Sequence, residues 1–307
     1  MVLAQRLLLV VPEAARDDLD TLIQAWRQCN IEVIVDSYDQ AIPSASTLLD
    51  GHDVIDALLL AGTARRAPAT VLPGPFLIDR TGRRVPAAWL PLRSATANQR
   101  FAACAARVHR RAGTERGLAL FSQWHPQYLR VADRIDSLVR ARWQTFRWTG
   151  DLITREGLVE AMGSGLGLGV YLGHGRSVGW VGYHGVRGHH FDTFDAEPMG
   201  ALMSLCCRTA SRCRTGLSYA EALPLRGVAA ASFGATSDTL HSDNTRWAVG
   251  VCDALSAGVT TIGELVVRAA PVSPSACSPY RLIGDPLAPL TSSRAALADA
   301  FTVPTFP

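Results

Sequence analysis

The chain has 307 residues, 48% hydrophobic and 19% charged, with a formal net charge of only +3. That composition can bury a large core, so wholesale disorder is excluded, and the small charge argues against a dedicated nucleic-acid surface. All 30 basic residues are Arg. In chain order, a five-residue apolar run at 7–11 reads as a buried first strand. Acidic residues follow it at once, with no small-residue cleavage site, so we do not read a signal peptide. A helix is expected over 15–29, opened by Asp17 and Asp18, then strands at 31–35 and 57–61. Residues 64–92 are rich in Pro and Arg and read as irregular, with a turn at 79–82. Ser94 is placed to cap a helix reaching Arg111. Strand 118–121, helix 127–142, strand 145–148 and helix 152–162 come next. The apolar strand 168–172 ends in Gly-His-Gly, and a loop rich in Gly, His and Asp leads to a second apolar strand, 201–205. Helix 218–226, strand 228–233 and helices near 243–257 and 261–270 complete the pattern, ahead of a Pro-rich coil and Y-R-L-I-G-D-P at 280–286.

Continuous apolar strands separated by helices predict a mostly parallel α/β sheet covered on both faces. A break at 112–116 suggests a smaller α/β subdomain over 1–112 and a second unit over 113–307. No apolar run approaches the ~18 residues of a membrane span. The seven cysteines are odd in number and contain no Cys-x-x-Cys pair. We therefore expect reduced thiols, a cytoplasmic protein and no structural metal.

In open α/β sheets, sites form beyond the carboxyl ends of strands. Two strands end in reactive side chains, His174 and the Cys206–Cys207 pair. If those strands are parallel neighbours, imidazole and thiol emerge together. A thiol attacks as its thiolate, and an adjacent His assists its ionisation and later protonates the leaving amine. Gly175 lets backbone approach a substrate carbonyl. Each feature has an ordinary reading as well, the Cys as a small buried hydrophobe and the His as part of a turn. The histidines and acids of the following loop (His184, His189, His190, Asp192, Asp195) have no recognised metal spacing and read as a substrate-flanking loop. The glycines at 163–169 precede a strand instead of joining strand to helix, which argues against a phosphate loop.

The chain resembles the gingipain family of cysteine peptidases, within the wider caspase-like group. The resemblance rests on V-Y-L-G-H-G at 170–175, A-L-M-S-L-C-C at 201–207, the segment 218–237, A-G-V-T-T-I-G-E-L at 257–265 and Y-R-L-I-G-D-P-L at 280–287. It implies a caspase-like three-layer sandwich with a mostly parallel sheet, and a cysteine endopeptidase needing no cofactor. Residue by residue, His174 matches the catalytic His and Cys207 the nucleophile, with Cys206 as the small residue before it. Gly175 and the Cys207 amide match the oxyanion donors. Glu115 is a candidate for the family's His-orienting acid. Trp180, Ser232, Asp238 and Trp247 are candidate substrate-binding residues, and Asp192, Asp195, Glu197 and Asp238 are the acids available to a basic substrate side chain. Arg208 follows the nucleophile, a departure from the Asn-Gly or Thr-Gly continuation of the family. The expected partner is a protein or peptide substrate, with no nucleic acid and no membrane. A catalytically inactive scaffold, or a peptidyl transferase using the same dyad, are the alternatives.

Overall fold

The structure is a computed structural model that describes residues 5–39, 41–52, 54–111, 113–212 and 216–303. Eleven strands form one continuous sheet. In chain order they are β1 (Gln5–Pro12), β2 (Ile31–Tyr38), β3 (Ala57–Thr63), β4 (Phe76–Ile78), β5 (Arg84–Leu92), β6 (Gly117–Ser122), β7 (Gln144–Thr149) and β8 (Leu168–Leu172). Beyond β8 lie the two-residue strands β9 (Gly175–Arg176), β10 (Gly179–Trp180) and β11 (Val186–Arg187), which make a small separate sheet. Then come β12 (Met199–Leu205), β13 (Ala229–Ala235) and β14 (Tyr280–Gly284). The main order is β2-β1-β3-β5-β14-β13-β12-β8-β6-β7, and β4 is an added strand on β5.

The sheet is two parallel halves running in opposite directions. β2, β1, β3, β5 and β14 are mutually parallel, as are β13, β12, β8, β6 and β7. They meet at the antiparallel pair β13–β14. The chain-terminal strand β14 is thus the seam between halves that are far apart in sequence. Strands with continuous Leu, Val and Ala runs need helices on both faces. One apolar cluster lines a face across both halves, from Leu7, Trp26 and Phe101 through Leu118 and Met203 to Phe233 and Trp247. The opposite face of the second half carries its own cluster, with Phe121, Tyr171, Trp180, Leu202 and Tyr219. Among the described residues no helix is long and apolar enough to cross a membrane.

One expectation is corrected. Residues 64–92 are not irregular, because 84–92 is a central strand, buried from Val85 onward. Pro86 and Pro91 weakened its strand signal, since proline removes ladder donors. The main sheet includes strands from both sides of the expected break at 112–116. Residue 112 itself lies outside the described residues, but β5 on one side of it pairs with β14 on the other. Buried Asp285, just past β14, binds His109 Nε2 at 2.6 Å and the Trp26 indole at 3.2 Å. The early segment shares its sheet, core and polar contacts with the rest. The helix expected over 15–29 begins as two 3₁₀ turns and is α-helical only over Asp20–Gln28. A final helix, Arg294–Thr302, capped by Ser293, was not expected.

Candidate active site

The site grows from three strand ends at one rim. β8 and β12 are parallel neighbours with Leu172 paired to Leu205, so His174 and Cys207 each lie two residues past the last paired position. β6 flanks β8 and pairs Ser122 with Leu172, which brings Gln123 to the same rim. A Cβ on Gly175 would lie under 3.0 Å from the Cys207 carbonyl oxygen and 2.5 Å from Cys206 Sγ, so only glycine lets these two chain ends touch.

His174 is exposed and its backbone is pinned on both sides. Its N–H donates to Gln123 Oε1 at 3.0 Å. Its carbonyl accepts from Tyr171 Oη at 3.0 Å and from Val181 N at 2.9 Å. Its ring Nε2 lies 3.3 Å from Tyr128 Oη, with the two rings edge-on. Half-buried Cys207 is held by Thr239, whose N–H donates to Sγ at 3.4 Å and whose hydroxyl lies 3.5 Å away. No hydrogen bond joins His174 to Cys207 directly. Catalytic hydrogen bonds are often loose before substrate arrives. Cys206 is fully buried in the apolar cluster, and that burial, with the neighbouring Cys207, pushes its thiol well above the ordinary range. A buried neutral thiol is inert, whereas Cys207 reaches solvent.

Arg208, after Cys207, has a left-handed backbone with φ 59°, and its N–H donates to Ser237 O at 3.1 Å. Such a conformation costs a non-glycine residue about 1 kcal/mol or more. The loop beyond is anchored by Arg212, which pairs bidentately with fully buried Glu221 and reaches the Ala64 carbonyl. Glu221 also accepts from the Trp89 indole and from Ser218. Cys213 lies outside the described residues.

The remaining candidates separate clearly. Trp180 is 2% exposed, stacks on Tyr171 at 4.1 Å and donates its indole N–H to Ser204. Trp247 is fully buried against Phe233 and Tyr280 and donates to the Ala276 carbonyl. Ser232 is buried and donates to the Ala220 carbonyl. All three are core residues, not pocket walls. Continuous apolar runs put every side chain of their strands inside, so proximity in sequence to the rim does not mean exposure. Asp238 is exposed at the rim and pairs with Arg208 at 2.5 Å. The other acids sit at the far, amino edge. Glu197 bridges to Ser164 just before β8 and β12 and pairs with Arg107, Asp192 pairs with Arg226, and Asp195 lies beside Glu197 in sequence and near Gly227, which precedes β13. Glu115 also fails as a partner for His174, because it precedes β6 and bridges to Ser292 at that same far edge.

The loop after His174 buries Tyr183 and Phe191 and leaves His184, His189, Asp192 and Asp195 exposed. Buried Tyr183 takes a left-handed backbone and donates to the Ser122 and Trp148 carbonyls. Sequence reasoning missed Tyr128, Gln123 and Thr239. The first two follow β6, whose carboxyl end reaches the same rim, so a third strand end in Ser-Gln-Trp-His-Pro-Gln-Tyr was the available signal.

A sequence model described as peptidase family C25 matches residues 125–291, more than half of the chain. No curated protein matches. Among solved structures, the Arg-specific cysteine proteinase gingipain R is similar with a TM-score of 0.74 at 15% identity, covering 94% of this chain and 79% of that one. The complex of Porphyromonas gingivalis RgpB pro- and mature domains is similar at 0.73 and 16%, covering 94% and 80%. The Saccharomyces cerevisiae separase–securin complex is similar at 0.50 and 13%, covering 74% of this chain and 15% of that one.

Proposed function

The chain belongs to peptidase family C25, cysteine peptidases of caspase-like fold, and on that premise we propose that it hydrolyses peptide bonds through Cys207 and His174. The Cys207 sulfur attacks the scissile carbonyl carbon while the thiol proton passes to the His174 ring. The tetrahedral intermediate collapses, the C–N bond breaks, and His174 hands its proton to the leaving amine. Water, deprotonated by the same ring, then cleaves the thioester and frees Cys207. The amides of Gly175 and Cys207 are the proposed donors to the oxyanion. Substrates are proteins or peptides, and Asp238, which pairs with Arg208 at the rim, is our candidate for the acid that would exchange that partner for a basic substrate side chain. The odd cysteine count fits a reducing, cytoplasmic setting, which is part of the same reading.

One observation carries the proposal. Register and the bare backbone of Gly175 bring the ends of β8 and β12 together, with an accessible thiol on one and an exposed imidazole on the other. The missing direct hydrogen bond between the two favours the rival reading, an inactive scaffold. Cleavage of a fluorogenic peptide library separates them. The wild-type chain should cleave a subset, and Cys207→Ala and His174→Ala should lose essentially all turnover. Cleavage that survives Cys207→Ala, or a wild-type chain that cleaves nothing, overturns the proposal. Mass spectrometry of the products distinguishes hydrolysis from transfer to an amine.

A further inference from the structure

We propose that Tyr128 is the positioning residue of His174, filling with a neutral phenol the place where an acid was expected. The inference rests on the dyad proposed above and concerns how its imidazole is held.

Tyr128 stands in the first turn of the helix Pro126–Val139, which starts at the rim because Pro126 opens it and the His125 side chain accepts from the Gln127 N–H. Its ring is 6% exposed, and its hydroxyl reaches His174 Nε2 at 3.3 Å. The ring planes meet at 86°, with centroids 5.7 Å apart. A hydrogen bond donated to Gln123 and two accepted from Tyr171 and Val181 already fix the His174 backbone, so ring rotation is the freedom left to restrain. Among the described residues no Asp or Glu carboxylate hydrogen-bonds or pairs with His174. Glu115, the acid expected from the sequence, lies at the opposite edge of the sheet.

The tautomer follows from the chemistry of the two ring nitrogens. With Nε2 engaged by Tyr128, Nδ1 is the nitrogen left for the thiol. Nδ1 can take the thiol proton only if the neutral ring carries its own proton on Nε2. Tyr128 Oη must then accept from Nε2–H, and it continues to accept when the ring becomes an imidazolium. A carboxylate would add a full negative charge. The phenol adds only a dipole, and burial raises its own ionisation above the ordinary tyrosine range. The titratable groups facing the phenol are His174, His125 at 5.8 Å and His241 at 6.0 Å between ring centroids, and the Cys206–Cys207 pair.

Tyr128→Phe removes the oxygen and keeps the ring, so it tests positioning with little change in packing. Nitrogen-15 NMR of the histidine rings in the full chain should show His174 as the Nε2–H tautomer in the wild type and as a mixture in Tyr128→Phe. In peptide cleavage, kcat should fall about tenfold, the worth of one hydrogen bond, with KM and the thermal midpoint unchanged. An Nδ1–H tautomer in the wild type overturns the inference, as does a ring spectrum unchanged by Tyr128→Phe. So does a loss of activity that appears only with a lowered thermal midpoint. The ring spectrum reads the hydrogen bond whether or not the chain cleaves peptides, whereas Cys207→Ala tests the peptidase reading alone.

Discussion

Gly175→Ala is the sharpest test of the proposed geometry. The new Cβ would lie under 3.0 Å from the Cys207 carbonyl oxygen, 2.5 Å from Cys206 Sγ and 3.0 Å from Thr209 Cγ2. Ordinary contact begins at 3.4 Å. The first of these neighbours is backbone, and Cys206 is a fully buried side chain, so none can swing aside as a flexible tip would. To reach ordinary contact the two strand ends must separate by about 1 Å, on the scale at which misplacing reacting groups costs about a hundredfold in rate. A hundredfold loss is about 2.7 kcal/mol of transition-state stabilisation. The strain should also cost about 1–3 kcal/mol of folding stability, as overpacking does. The assay is kcat/KM on the best fluorogenic peptide, with thermal midpoints measured alongside. Gly74→Ala serves as the control, because the nearest atom to its Cβ is 3.9 Å away and it sits in the bend before β4, on the other half of the molecule's sheet from Gly175. Turnover within threefold of wild type in Gly175→Ala would show that the strand ends are not in catalytic contact as described.

Two further substitutions test neighbouring features. Iodoacetamide should label Cys207 well before Cys206, whose burial holds it protonated, and Cys206→Ala should cost about 1 kcal/mol of stability and leave most activity; peptide mapping that finds Cys206 labelled first would reverse the assignment. Arg212→Ala leaves the Glu221 carboxylate buried with its ion-pair partner gone, so chemical denaturation should report a loss of about 3–5 kcal/mol, and a variant within 1 kcal/mol of wild type would show that the pair does not anchor the loop.

Much of the second half of the sheet was legible from sequence, because its strands are continuous apolar runs bounded by glycines and caps. The runs at 168–172 and 201–205 read as buried parallel strands, and both end where the chemistry was expected. The early strand 84–92 was not legible, since its two prolines imitate a loop signal and one of its neighbours in the sheet is β14, almost 200 residues away. Local pattern carries no information about such pairing. The same limit explains the site. His174 and Cys207 stand out because a reactive residue at the end of an apolar run is visible in one dimension. Tyr128 looks like any apolar-face residue of an amphipathic helix, and only the parallel register of β6 beside β8 brings its hydroxyl to the imidazole. Trp180 and Trp247 err in the other direction: both lie near the rim in sequence, and packing turns both indoles into the core. Residue type and periodicity determine which segments are buried. Which side chains converge at a rim, and which acid ends at the opposite edge, is decided by strand order and direction, which exist only once the chain has folded.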